Sequence, residues 1–480
     1  MDWKPKRTKE LPLYKQILSF LETKIVNGEF PPGSRLPSER ELADQLQVNR
    51  STINIVFEEL RAAGLVKRKV GVGTIVNGEI WDQNHKRLPN WDKYVEEGYY
   101  QSNNPINQRI YRSIRSDDSI INFAIGQLSP DLSPFSLMKN NDILNLNDHL
   151  GYEDIQGSLE LRETISSHLH NYRKIHSTPS SILITSGAQQ AIHIIIRCLL
   201  NPGDSVAIED PSYAYSLPIF HSNGLKTHLL PVANDGIDPE QIITLYKKHR
   251  IKMVFLNPVY QNPTGATLSE AKKIRLLEIC SQLGIAIVED DPYSLTGYNN
   301  WSCTLKSMDS EGIVLYVSSL SKIIASGLRI GWISGPQSVI DRLTDAKHQI
   351  DFGHSIFSQR IATMLLTSQN FDEHISSLKT GLIAKRDLMM DSLKRELKDE
   401  ISFFSPNGGV HLWCKFNEEL STDHRLFKEA LKLKMVFTPG TTLGTQKHHI
   451  RLTFSSVDNH LIHEGIQRLA QAYKESKINS

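Results

Sequence analysis

The sequence predicts a chain of two units: a small helical module closed by a β-hairpin, then a large α/β unit built on a mainly parallel sheet. Three observations predict this. Within the first 77 residues apolar side chains recur at three- to four-residue spacing in short bursts broken by turn signals. From about residue 121 short β-branched runs alternate with helical patterns. Between them, residues 78–120 are polar and poor in periodicity, too long for a connection inside one domain, and read as a linker. The expected boundaries are therefore 1–77, 78–120 and 121–480, and the length of 480 residues accommodates such a division.

Composition narrows the function classes. Hydrophobic residues at 39% and charged residues at 22% exclude wholesale disorder. No apolar run approaches the length of a membrane span, and the charged start MDWKPKRTKE lacks the apolar segment of a secretion signal. Cys198, Cys280, Cys303 and Cys414 lie far apart and form no CxxC pair, which argues against a zinc ribbon or disulfide scaffold and for a reducing cytoplasm. The formal net charge of +1 conceals an asymmetry: residues 1–78 hold 13 basic and 9 acidic side chains, the remainder 41 and 44. A basic head on a mildly acidic body suits a nucleic-acid reader joined to a larger globular unit.

In the head, Leu13, Ile17, Leu18, Leu21 and Ile25 form the stripe of one helix, which Asn27-Gly28 ends before the turn Pro31-Pro32-Gly33. Ser38 and Glu41 have capping-box spacing, so a short second helix is expected over 38–46. Asn49 is placed to cap a third, whose stripe is Ile53, Val56, Phe57 and Leu60 and whose end is Gly64. Two short strands then flank a basic, glycine-containing tip, Lys67-Arg68-Lys69-Val70-Gly71. Three helices and a basic hairpin make a winged helix-turn-helix. Its third helix would leave Arg50, Ser51, Asn54 and Arg61 outward to meet a major groove, with Lys67, Arg68 and Lys69 facing phosphates. The same pattern also suits a protein-binding module whose charges are merely solvated.

Specific residues carry a resemblance here. Pro12-Leu13-Tyr14, Leu36-Pro-Ser-Glu-Arg-Glu-Leu-Ala43, Val48-Asn-Arg-Ser-Thr52 and Glu59-Leu-Arg-Ala-Ala-Gly-Leu-Val66 resemble the DNA-binding domain of GntR-type bacterial regulators over residues 11–77. The resemblance implies that Arg40, Asn49, Arg50, Ser51 and Gly71 touch double-stranded DNA.

In the large unit the β-branched or apolar runs are 182–184, 206–208, 253–256, 285–288 and 313–317. Ligands of parallel sheets sit beyond the C-terminal ends of the strands, and the chemically interesting residues follow these runs directly. Thr185-Ser186-Gly187-Ala188-Gln189 opens a helix and presents amides to an anion. Asn262 follows the third run on a constrained turn. Glu289-Asp290-Asp291 follows the fourth; adjacent carboxylates suit a divalent cation, but no further ligand cluster accompanies them and no metal is expected. Ser319, Ser321, Lys322 and, seven positions on, Arg329 follow the fifth. Hydroxyls and an arginine bind phosphate, and a lysine of lowered pKa forms a Schiff base with an aldehyde. The cofactor meeting both demands is pyridoxal 5′-phosphate.

Residues 120–475 resemble fold-type I aminotransferases, especially the branch related to kynurenine and 2-aminoadipate aminotransferases. The motifs are Gly151-Tyr152 to Gly157 with Leu161-Arg162, Asp210-Pro-Ser-Tyr213, Asn262-Pro-Thr-Gly265, Glu289-Asp-Asp-Pro-Tyr293, Ser319-Leu-Ser-Lys322 and Ile450-Arg-Leu-Thr-Phe454. The resemblance implies a fold of mainly parallel sheet plus a small α+β part. It implies that Lys322 carries the cofactor, that Asp290 pairs with the pyridine nitrogen, and that Asn262 and Tyr293 bind the 3′ oxygen. It implies that Tyr213 stacks on the ring, that Ala188, Gln189, Ser319, Ser321 and Arg329 hold the phosphate, and that Arg451 clamps a carboxylate. Ala188 departs from the hydroxyl residue common at its position, and Ile155 stands where a proline often precedes the motif's glutamine.

A GntR-type head joined by a long linker to an aminotransferase-like unit is similar to MocR-type bacterial regulators. That likeness implies a cytoplasmic, nucleoid-associated transcription factor, typically a head-to-tail homodimer on paired half-sites. It would sense a small amine or amino acid through external aldimine formation at Lys322. A working aminotransferase with an appended DNA-binding domain remains open at this point, because Lys322, Asp290 and Arg451 are all present.

Overall fold

The structure, a computed structural model, describes residues 3–6, 12–78, 98, 104–134, 151–298, 302–417 and 423–478. The chain divides into two compact units, residues 1–99 and 100–480.

The first unit holds α1 (Leu13–Val26), α2 (Glu39–Leu46), α3 (Arg50–Ala62) and the hairpin strands β1 (Val66–Lys69) and β2 (Gly73–Val76). Helix α1 buries Ile17, Leu21 and Ile25 on one stripe and stops at Asn27, with Gly28 at φ +78°. Ser38 caps α2 reciprocally: its hydroxyl accepts from the Glu41 amide at 3.3 Å, and its own amide donates to Glu41 Oε2 at 2.7 Å. Asn49 stands at the cap position of α3 but its side chain makes no capping bond. That helix is held by packing instead: Ile53, Val56 and Leu60 are fully buried and Phe57 is 2% exposed. The hairpin pairs Val66 with Val76 and Lys69 with Gly73, so its apolar end faces the core while Lys67, Arg68 and Lys69 are exposed.

The strands of the second unit are, in chain order, β3 (Ile121–Asn122), β4 (Ile182–Thr185), β5 (Ser205–Asp210), β6 (Lys226–Pro231), β7 (Met253–Leu256), β8 (Ala286–Asp290), β9 (Val314–Ser319), β10 (Gly331–Ser334), β11 (Ile401–Phe403), β12 (His411–Phe416), β13 (Met435–Val436), β14 (Thr438–Pro439) and β15 (His449–Thr453). Seven of them form one sheet in the order β4-β10-β9-β8-β7-β5-β6. Strand β10 runs antiparallel to both neighbours and the other pairings are parallel, which is the mainly parallel α/β fold expected. Successive residues serve opposite faces. Phe255 and Val288 join the cluster around helix Ala188–Leu199, whereas Val254 and Ile287 join the one around helix Glu270–Leu283. Burial on both faces explains why these strands read as unbroken apolar runs.

The smaller part is an antiparallel sheet ordered β11-β12-β15-β14, with β13 beside β3. Its register sets His411 opposite Thr453 and Trp413 opposite Arg451.

The stretch expected as linker is not structureless throughout. Residues 105–116 form a helix whose N-cap Asn104 accepts from the Ile106 amide at 2.9 Å, with Pro105 in its first turn. Its Ile110 is 3% exposed and packs in the core of the second unit. The amphipathic piece Trp91–Glu97, expected to dock on a surface, lies outside the described residues.

Candidate functional site

Beyond the C-terminal ends of the parallel strands lies a cavity of about 880 Å³. It brings together the eleven residues that sequence reasoning picked from the large unit. Ala188 and Gln189 follow β4, Tyr213 follows β5, and Asn262 follows β7. Asp290 ends β8 with Tyr293 just after it, Ser319 ends β9, and Ser321, Lys322 and Arg329 come next. Arg451 reaches the same cavity from β15 of the smaller sheet.

Strand alternation separates the three consecutive carboxylates at the end of β8. Glu289, fully buried, accepts from the amides of Leu305 and Lys306, each at 2.8 Å. Asp291 turns to Arg173 (3.7 Å) and accepts from the Tyr316 hydroxyl at 2.8 Å. Only Asp290 lines the cavity, and its Oδ1 is buried without a hydrogen-bond partner. Among the described residues no group of three or more His, Cys, Asp or Glu could hold a metal ion.

Lys322 follows β9 and its ammonium donates to the Gly126 carbonyl. Burial first, then the charges of Arg451 and Arg329, push its pKa down to about 8, against the pull of Asp290. At that pKa about a fifth of the amine is neutral near physiological pH, a far larger share than for an ordinary lysine, and the neutral form is the nucleophile.

Asn257, which sequence reasoning passed over, holds the ring side of the cavity together. Its Oδ1 accepts from the Asn262 amide at 2.7 Å and its Nδ2 donates to the Asp290 carbonyl at 2.8 Å. Asn262 Oδ1 accepts from Arg451 Nη1 (2.9 Å), and Asn262 Nδ2 donates to the Tyr293 hydroxyl (3.4 Å). Arg451 also donates from Nη2 to the Ala124 carbonyl (2.6 Å) and the Thr438 hydroxyl (3.1 Å). All these acceptors are neutral, and the buried Nε has no partner. A guanidinium 7% exposed with only neutral acceptors is prepared for an incoming carboxylate.

Where Ala188, Gln189 and Arg329 line the cavity, a helix start and a guanidinium form a cradle of hydrogen-bond donors. Helix Ala188–Leu199 begins at Gly187 (φ +78°) with no side-chain cap, so its first-turn amides have no intrahelical acceptor. Arg329 Nη2 donates to the Ser186 carbonyl at 2.6 Å, and a Cβ added at Gly187 would lie 2.7 Å from that nitrogen. The positive φ favours glycine there, and the missing side chain leaves room for the guanidinium.

Sequence reasoning also missed the helix 105–116, whose Tyr111, Arg112 and Arg115 line the same cavity, and His411, which is 5% exposed on β12.

In the first unit, Arg40 lies in the first turn of α2, and Arg50 and Ser51 open α3 just after Asn49. Gly71 sits at the hairpin tip with φ +79°. All five residues are exposed. Arg50 Nη2 donates to Glu39 Oε2 at 3.2 Å, a solvent-accessible pair that a nucleic-acid phosphate can replace.

Comparison with known proteins places this geometry. Residues 118–469 match the family described as Aminotransferase class I and II, and residues 13–76 match Bacterial regulatory proteins, gntR family. The uncharacterised HTH-type transcriptional regulator YdfD of Bacillus subtilis (strain 168) is 36% identical over 475 residues, covering 98% of both chains. The HTH-type transcriptional regulator NorG of Staphylococcus aureus (strain USA300) is 29% identical over 91% of this chain and 98% of its own. The chain belongs to the MocR-type GntR regulators. Among solved structures, the kynurenine aminotransferase of Pyrococcus horikoshii, in complex with PMP, superimposes with TM-score 0.74 at 29% identity, over 81% of this chain and 98% of that one. The α-aminoadipate aminotransferase LysN of Thermus thermophilus, complexed with a phosphopyridoxyl-leucine, gives 0.73 at 26%, over 82% and 100%.

Class I and II aminotransferases are pyridoxal phosphate proteins, and pyridoxal 5′-phosphate is the cofactor of this MocR-type regulator. The residues present fit it: the orphaned Asp290 oxygen suits a protonated ring nitrogen, and the Gly187 cradle suits a phosphate. Among the described residues no helix is long and apolar enough to cross a membrane.

The lone Asp290 gives a pH-dependent prediction. Burial, then the charge of Asp291, pushes its carboxyl up to about 7, against the pull of Lys322. An aspartate ionises near 3.9 in an unfolded chain, so the cofactor-free fold loses stability as pH rises from about 4 to about 7, and the deficit is constant above that. Asp290→Asn removes the deficit. Without cofactor the variant is expected to melt a few degrees above the parent near pH 7.5 and by a smaller margin near pH 5. With cofactor the sign reverses, because a neutral amide cannot pair with a charged ring nitrogen. Thermal melts at both pH values check this, and equal gains at both would remove Asp290 as the titrating group.

Proposed function

We propose that this regulator senses a small primary amine or amino acid at Lys322 and converts its binding into a change of DNA affinity. The observation that carries the reading is the pairing, in one cavity, of a lysine with pKa lowered to about 8 and a buried arginine whose acceptors are all neutral. When bound, the cofactor supplies an aldehyde that exchanges between primary amines.

In this reading Lys322 anchors the cofactor and gives way to the effector amine. Asp290 keeps the ring nitrogen protonated, Asn262 and Tyr293 hold the 3′ oxygen, and Tyr213 covers the ring face. Ala188, Gln189, Ser319, Ser321 and Arg329 hold the phosphate, and Arg451 takes the effector's carboxylate. Arg40, Asn49, Arg50, Ser51 and Gly71 contact a promoter with paired half-sites, which places the protein where the chromosome is. A homodimer, head-to-tail in this reading, draws its support as a dimer from apolar side chains left in the open on the second unit: Tyr152 is 91% exposed, Phe352 65% and Ile350 56%. An effector that favours one form of the dimer shifts the spacing of its two heads and so the affinity for the half-sites.

A second reading, a working aminotransferase, is supported by the presence of Lys322, Asp290 and Arg451 in the same cavity. An absorbance titration of cofactor-loaded full-length protein against a panel of primary amines separates the two, with DNA affinity measured for each hit. We expect one chemical class of amine to change both the spectrum and DNA affinity. Sustained turnover of amino acids to keto acids with DNA affinity unmoved would overturn the sensor reading.

A further inference from the structure

We propose that His411 is a positioning residue: it takes the hydrogen bond of the Tyr293 hydroxyl and thereby sets the pH at which the Schiff base between Lys322 and the cofactor gains its proton. The inference rests on the reading of Lys322 as the cofactor's anchor.

His411 is 5% exposed, on an apolar strand between Val410 and Leu412, both fully buried. A histidine there is most simply a space-filling ring, but its contacts are those of a hydrogen-bond relay. Nδ1 lies 2.9 Å from the hydroxyl of Thr453, its register partner on β15. Nε2 lies 3.1 Å from the Tyr293 hydroxyl, with the two rings edge-on at 80°. The ring also crowds Gly126, whose carbonyl accepts from Lys322. A Cβ added at Gly126 would lie 2.9 Å from His411 Cε1 and 3.4 Å from Lys322 Nζ.

The direction of the relay follows from the network. Asn262 Oδ1 accepts from Arg451, so Nδ2 of the same amide is the atom that faces Tyr293, and it can only donate. The phenol cannot return its single hydrogen to Asn262. The remaining acceptor among its contacts is His411 Nε2. This assigns the imidazole's own hydrogen to Nδ1, toward Thr453. The ring is neutral: burial, then the charges of Arg451 and Lys322, hold its pKa well below the ordinary histidine value.

Tyr293 therefore has one hydrogen and two claimants once cofactor is bound, His411 Nε2 and the cofactor's 3′ oxygen. A hydrogen bond donated to that oxygen draws off its negative charge and weakens its hold on the neighbouring imine proton, which lowers the proton's pKa. By diverting the donor, His411 keeps the pKa higher. The charged and titratable groups facing this cluster are Lys322, Arg329 and Arg451 on the positive side, with Asp290 and Tyr213 opposing, while Tyr111, Arg112 and Arg115 line the same cavity from the helix 105–116.

The test is an absorbance pH titration of cofactor-loaded full-length protein. His411→Phe keeps a ring of similar volume and removes the acceptor. Its midpoint is expected to fall by about half to one pH unit, the size of one hydrogen bond. His411→Gln, which restores an acceptor oxygen, is expected to lie between the two. In a Tyr293→Phe background the same His411→Phe change is expected to leave the midpoint where it was. An unmoved or raised midpoint in His411→Phe, or an equal shift without the Tyr293 hydroxyl, would overturn the proposal. His411→Met carries the same expectation if the phenylalanine variant does not fold. A parent band that does not change with pH would also overturn the proposal, whereas borohydride reduction that leaves Lys322 unmodified would instead defeat the Lys322 reading.

Discussion

Lys322→Ala is expected to abolish the covalent cofactor band and every response of DNA binding to amines, while basal DNA affinity stays at the parent's level. The reasons lie in two separate places. Lys322 is the amine that lines the cavity with a depressed pKa, whereas Arg40, Asn49, Arg50, Ser51 and Gly71 belong to the other compact unit. Removing the lysine leaves the cradle at Gly187 in place and takes from Asp290 only a neighbouring charge, so cofactor is still taken up, more weakly and without the bond. Borohydride reduction followed by peptide mass analysis reads the bond directly, and fluorescence anisotropy on promoter DNA reads the response. An amine response that survives in this variant would refute sensing at Lys322.

The second large effect is expected from Phe57→Ala in the head. Phe57 is 2% exposed and packs in the small core with Ile17, Leu21, Leu42, Leu60 and Val66. Truncating a buried phenylalanine removes about 3–5 kcal/mol. A single core in a module this small supplies about 3–5 kcal/mol in all. The head should therefore unfold, losing DNA binding and becoming sensitive to protease within residues 1–99, while the cofactor band of the second unit is unchanged. Retained DNA affinity would show that the head draws stability from outside its own core.

The elements that were legible in the sequence are those whose signals are local or whose burial is complete. The Ser38–Glu41 box needs only three residues of spacing and forms as expected. Strand β7 is buried on both faces and spans the expected run, 253–256. Strand β6 is a sheet edge, mixes Lys226, Thr227 and His228 with Leu229 and Leu230, and so carried no apolar run to find. Strand β10 has four residues and runs against its neighbours, which no alternation of strand and helix announces. The helix 105–116 did carry a signal, an asparagine cap with proline at the first position, but its weak apolar stripe buries only Ile110. Among site residues, those inside spaced motifs fall together in the cavity. Asn257 and His411 act through partners distant in sequence, Asp290 and Asn262 for one, Tyr293 and Thr453 for the other, and nothing local marks such roles.

Arg451 has a consequence of its own. It is carried by the smaller sheet, yet one of its nitrogens is tied to Asn262 beyond the large sheet and another to the Ala124 carbonyl and to Thr438 on β14. The guanidinium is thus a rivet through two layers. Under the proposed reading, an anion that recruits this fork competes for the bonds that fasten the layers to each other, so filling the cavity would be felt where they meet.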